Sequence, residues 1–114
     1  MLESQLELRH KSKESFNRYR ELIPDIGRAF SELPAEVYKD GALSGKIKRL
    51  MAMAAAVVAG RRGCILAQTD MALELGASVE EILEACGVAI SLGGTMAAAE
   101  TTRVVQLLEE LGKI

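Results

Sequence analysis

The residues of this chain whose types and spacing suit chemistry lie in the stretch RRGCILAQ, from Arg61 to Gln68. A helix is predicted to begin around Arg62, which puts Cys64 in its first turn. Unpaired amides and the helix dipole there favour negative charge, and Arg61 and Arg62 stand beside the thiol in sequence. All of these lower a thiol pKa, the condition for a nucleophilic or redox-active cysteine. On a helix, Arg61 and Gln68 fall two turns apart on one face, with Cys64 between them and within reach of both. The three therefore form a candidate polar cluster. The same residues also describe a cysteine packed into a bundle beside two solvated arginines. No histidine, carboxylate or second cysteine is close enough in sequence to act with the thiol.

Other chemistry is poorly represented. The single histidine, His10, sits in a charged stretch far from both cysteines, and no spacing matches a metal site, so neither a metal nor any other cofactor is expected. GALSGK has three residues between its glycines where a phosphate loop has four, and no strand precedes it. Cys86 lies on the apolar stripe of its helix, and Met51, Met53, Met71 and Met96 read as core fillers. Net charge is −2, which argues against a nucleic-acid partner. RHKSK, at Arg9 to Lys13, reads as the solvated side of a helix. The N-terminal MLESQLELRHKSK has no signal-like apolar core, and the longest apolar run, Leu50 to Gly60, is about half a membrane span. A cytoplasmic protein without a membrane segment is expected, its two cysteines held as thiols.

The elements that must position the cluster are helical. With 114 residues, 49% hydrophobic and 26% charged, the chain suits one small globular domain spanning 1–114. Apolar residues recur at three and four throughout, and no strand pattern stands out. A first helix is predicted from about Glu3 to Leu22. A second, with Ile26, Ala29, Phe30 and Leu33 on one face, runs to Pro34, and a short turn follows from Pro34 to Tyr38. Ser44 is a plausible N-cap for a helix with Ile47, Leu50, Met51, Ala54 and Val58 inward, ending near Gly60. The Cys64 helix then stops at Gly76. SVEE at Ser78 to Glu81 is a capping box, opening a helix with Ile82, Leu83, Cys86, Ala89 and Ile90 inward. Gly93-Gly94 breaks it, and a last helix reaches Gly112. The expectation is an all-α antiparallel bundle of about six helices, with apolar faces too generous for a monomer and so shared between subunits of a homo-oligomer.

The segment DGALSGKIKRLMAMAAAVVAGRRGCILAQTDMALELGASVEEILEACGVAISLGG resembles the carboxymuconolactone decarboxylase and alkylhydroperoxidase D family. The lead GALS, the GC opening a helix, the GAS-x-EEI-x-EA pattern and the terminal GG follow the family's order and spacing, with a core match over about 41–112. In the peroxidase branch that helix starts with Cys-x-x-Cys, a His follows four residues later, and the preceding helix supplies a Glu. By position the second Cys is Cys64, the first is replaced by Arg61, the His by Gln68 and the Glu by Arg49. Without a thiol at 61 the intramolecular disulfide cycle cannot close. Gly60-Arg61 is similar instead to the decarboxylase branch, and the resemblance implies that Arg61 and Arg49 hold a carboxylate substrate. Gln68 can hydrogen-bond there but cannot titrate.

Three functions follow from the resemblance. One is a decarboxylase-like lyase, or binder of a small anionic molecule, using Arg61, Arg49 and Gln68 in a pocket between subunits with Cys64 lining it. Another is a single-cysteine, thiol-dependent hydroperoxide reductase working through Cys64. The third is a non-catalytic structural or ligand-binding oligomer. The family's assemblies imply a trimer or hexamer.

Overall fold

Three of the helices begin at a serine whose side chain closes the first turn. Ser4 accepts from the Glu7 amide, Ser44 from Ile47 and Ser78 from Glu81. The computed structural model describes residues 3–114 and places them in helices α1 (Gln5–Leu22), α2 (Pro24–Val37), α3 (Gly45–Ala59), α4 (Arg62–Glu74) and α5 (Val79–Glu110). At Ser78 the capping box is complete, since the Glu81 carboxylate accepts from the Ser78 amide at 2.9 Å. Gly60 ends α3 in the left-handed region at φ 68°, and only Gly60 and Arg61 separate α3 from α4, so the chain doubles back at once.

The core sits where α3, α4 and α5 meet. Met53 and Val57 of α3, Ile65 and Leu66 of α4, and Ile82 and Val104 of α5 are fully or almost fully buried. Each such side chain contributes about 1.5–3 kcal/mol relative to exposure, which makes this trio the stable frame of the molecule. α1 lies across α4 and α5 and is tied down largely by polar contacts. Glu110, in the last turn of α5, accepts from the Gln5 and Leu6 amides at 2.8 and 3.1 Å and from the Ser4 hydroxyl at 2.5 Å. It thereby satisfies first-turn amides of α1 that would otherwise lack partners. α2 packs against α1, and its C-cap residue Tyr38 reaches Arg49 of α3.

Several sequence expectations shift. The inward face of α3 is Leu50, Met53, Ala56 and Val57, whereas Ile47, Met51 and Val58 are exposed. In an alanine-rich helix apolar residues occur on every side, so spacing alone does not fix which side meets the core. Met96 and Leu83 are likewise exposed, and Met71 is half-buried. Pro34 lies inside α2, so the separate short turn at Pro34 to Tyr38 is part of that helix. The break expected at Gly93-Gly94 is present: Gly94, with φ 64° and ψ −145°, is non-helical, and α5 consists of two helical segments joined across this kink. Counted as continuous elements, the described residues form five helices, α5 holding both segments that flank Gly94. α5 is also long and apolar enough to cross a membrane by length and composition. Here it is the central helix of the bundle, packed on both α3 and α4.

Candidate functional site

Arg49, from the middle of α3, faces Gln68 of α4, and its Nη1 donates to Gln68 Oε1 at 2.9 Å. Tyr38 supplies the third side. It caps the C-terminus of α2, and the Arg49 guanidinium lies 3.5 Å from the centre of its ring. At that distance the cation meets the negative face of the aromatic system.

The loop that presents Tyr38 is built to approach α3 closely. Asp40 accepts from the Gly45 amide at 2.7 Å, and Lys48 Nζ donates to the Lys39 carbonyl at 2.7 Å. A Cβ at Gly45 would lie 2.8 Å from the Tyr38 carbonyl oxygen, so any side chain there would push Tyr38 away.

Burial pulls the Arg49 pKa below its ordinary value, with Tyr38 and Glu74 opposing that shift. No carboxylate lies within ion-pair distance of Arg49 among the described residues. Its fork is therefore partly desolvated, oriented by a ring and an amide, and free of an anionic partner. Such a group suits a carboxylate, whose two oxygens match the guanidinium geometry.

The remaining residues of the predicted cluster stand at the start of α4. Arg61 is its N-cap; its amide donates to the Ala56 carbonyl at 3.0 Å, while its side chain makes no hydrogen bond or ion pair among the described residues, and no side chain caps the helix. Cys64 is a free, exposed thiol in the first turn, one turn before Gln68. The basic pair divides: Arg62 turns to the other side and pairs with Glu3 at 3.1 Å. The structure thus joins Arg49 to Gln68 directly and leaves Arg61 and Cys64 at the start of α4, with neither side chain bonded to the pair. Two cavities, of about 120 and 550 Å³, open beside α1, and neither touches any of these four residues.

Cys86 is buried in the core, where desolvation pushes its thiol pKa up and a hydrogen bond with Thr101 only partly offsets this. It serves as a packed apolar group. Tyr38 was not anticipated as a site residue. Its contact with Arg49 spans a loop, and the only local sign was its place just before the Lys39-Asp40-Gly41 turn.

The profile of the Carboxymuconolactone decarboxylase family matches residues 24–107. A curated relative, an uncharacterized protein in the cox locus of Paracoccus denitrificans, is 35% identical over 86 residues, covering 75% of this chain and 78% of the relative. Among solved structures, a carboxymuconolactone decarboxylase family protein from Legionella pneumophila superposes with a TM-score of 0.87 at 31% identity, covering 93% of this chain and 95% of that one. A family protein from Thermotoga maritima, described in connection with an antioxidative response, gives 0.70 at 36% identity and covers 76% and 90%. With the profile spanning most of the sequence and the fold shared over nearly its full length, the chain belongs to the carboxymuconolactone decarboxylase family.

Proposed function

We propose that the chain binds a small carboxylate at Arg49, with Arg61 as a second cationic contact and Gln68 orienting the first. The observation that carries this reading is the state of Arg49: stacked on Tyr38, bonded to a neutral amide and paired with no carboxylate. An arginine held in this way has already lost part of its side-chain freedom and hydration before a ligand arrives. The pocket is completed by a neighbouring copy in a trimer or hexamer, with Cys64 at its edge. Gln68 cannot transfer a proton, so the reading is of a binding site, and of a lyase only where the substrate or the second subunit supplies an acid.

Titration calorimetry with acetate, succinate and maleate, and with their methyl esters as controls, tests it. The acids bind to wild-type protein and the esters do not, and Arg49→Ala weakens binding about tenfold or more, as for loss of a charge-assisted bond. Equal binding to wild-type protein and Arg49→Ala sinks the proposal.

The exposed thiol favours one second reading, a single-cysteine hydroperoxide reductase. Cys64 Sγ would attack the terminal oxygen of ROOH, giving a sulfenic acid and ROH. One external thiol would then form a mixed disulfide and release water, and a second would restore Cys64 as the external disulfide leaves. Hydroperoxide consumption with added dithiothreitol that vanishes in Cys64→Ser supports this reading, and unchanged consumption in that variant removes it.

A further inference from the structure

The cavity of about 120 Å³ between α1 and the start of α4 is lined by Leu8, Arg9, Ser12, Arg62, Gly63 and Leu66. Two guanidinium groups and a hydroxyl face it, and no carboxylate does. Arg9 is only 7% exposed, yet Asp70 takes just its Nε, at 3.0 Å, and neither terminal nitrogen has a hydrogen-bond partner among the described residues. Among those residues Arg20 Nε is the one buried side-chain nitrogen or oxygen with neither a partner nor access to open space. The terminal nitrogens of Arg9 therefore reach open space, and the space that Arg9 lines is this cavity. Buried donors left idle are costly, so the site favours a group that accepts from them.

Further idle donors border the same space. Ser31, Thr69 and Thr101 spend their hydroxyls on the carbonyl one turn back, whereas Ser12 makes no hydrogen bond among the described residues. No side chain caps α4, and the amides of Arg62, Gly63 and Cys64 have no partner among the described residues. Arg62 gives one nitrogen to Glu3 and keeps the rest of its fork. Asp70 and Glu3 offset part of the positive charge without lining the cavity, and the positive end of α4 adds to what is left.

Size and direction define the ligand. The volume equals about four waters at ~30 Å³ each and falls short of the ~300 Å³ at which pockets for drug-sized molecules begin. A nucleotide or a peptide is too large. The donors come from two helices and in different directions, which a planar carboxylate cannot meet at once and a tetrahedral ion can.

We infer that this cavity is a site for a small, doubly charged tetrahedral oxyanion of the phosphate or sulfate class, bonded by Arg9, Arg62, the Ser12 hydroxyl and the Gly63 amide. Bound there, the ion ties α1 to the first turn of α4. Arg49, Arg61, Cys64 and Gln68 do not line the cavity, so the inference does not depend on the carboxylate reading.

Calorimetric titration with inorganic phosphate and with sulfate, against chloride at matched ionic strength, is the test. Wild-type protein and Arg49→Ala bind both ions alike. Arg62→Ala weakens binding about tenfold, as for loss of a charge-assisted bond, and Ser12→Asp abolishes it by placing a carboxylate at the cavity. Ser12 is exposed and the Arg62 side chain is 50% exposed, so both variants keep the helical circular dichroism of wild type. Amide NMR locates the ion: the Gly63 signal shifts with added phosphate in wild type and stays in place in Ser12→Asp. Phenyl phosphate separates two sources of the same chemistry. Weaker binding than phosphate assigns the site to the free ion, and tighter binding assigns it to the end group of a phosphomonoester. The inference is overturned if neither ion binds wild-type protein, if folded Arg62→Ala and Ser12→Asp bind as wild type does, or if binding is lost in Arg49→Ala, which would put the ion in the carboxylate site.

Discussion

The Arg49 guanidinium links α3 to α4 and to the end of α2, donating to Gln68 Oε1 at 2.9 Å and lying 3.5 Å from the Tyr38 ring. Gln68 is neutral, so it positions the cation without cancelling its charge. Gln68→Glu would place a carboxylate at the same distance and fill the guanidinium from inside. Acetate binding is expected to fall further in Gln68→Glu than in Gln68→Ala, since the first adds a competing anion and the second removes one hydrogen bond. Calorimetry on both variants checks this ordering, and the reverse ordering would show that Gln68 itself contacts the ligand.

The Arg9–Asp70 ion pair, at 3.0 Å, joins α1 to α4. The Arg9 side chain is 8% exposed and Asp70 29%, so water screens one partner but hardly reaches the other. Asp70→Asn leaves the buried cation without its anion and is expected to cost about 2 kcal/mol, below the full penalty of a completely enclosed pair. Arg9→Met with Asp70→Asn removes both charges and recovers part of that loss. Urea midpoints at unchanged m-value measure both effects. Equal stability of Asp70→Asn and wild type would mean that the pair is no tie between the helices.

Much of this frame was legible because its signals are local. Ser44, Ser78 with Glu81, Gly60 and Gly76 mark helix ends through bonds or backbone angles reached within a few residues of themselves. The rotational setting of α3 was not, because alanine and methionine make its exposed side as apolar as its buried side. Arg49 was named only through the family pattern, and its position opposite Gln68 depends on how α3 packs on α4. The separation of Arg61 from Arg62 was equally hidden. It depends on Glu3, far away in sequence, reaching the first turn of α4.

Acid should loosen α1 before the core. The hydroxyl of Ser4, then the amides of Leu6 and Gln5, hold the Glu110 carboxylate below its ordinary 4.5. A carboxylate whose folded pKa is depressed contributes stability that is fully present above the unfolded value and is lost as pH falls through the folded one. The gap between wild-type protein and Glu110→Gln is therefore largest above about pH 5 and closes as pH drops below 4.5. Denaturant titrations of both proteins at stepped pH follow that gap, and a gap that widened in acid would contradict the cap.

Gly87 and Gly94 lie in the same helix, and a Cβ at either would meet nothing within 4 Å, so space does not distinguish them. Backbone conformation does. Gly94 has φ 64° and ψ −145°, a region open essentially to glycine alone, whereas Gly87 has no positive φ. Gly94→Ala is expected to cost about 1–3 kcal/mol, because alanine must adopt that strained conformation or straighten the kink. Straightening would swing the segment holding Ala97, Val104 and Leu108 out of the core. Gly87→Ala is expected to gain about 0.5–1 kcal/mol by restricting the unfolded chain and favouring helix. Thermal melts of the two variants should therefore move in opposite directions from wild type. A shared direction would show that the kink is not a requirement of the fold.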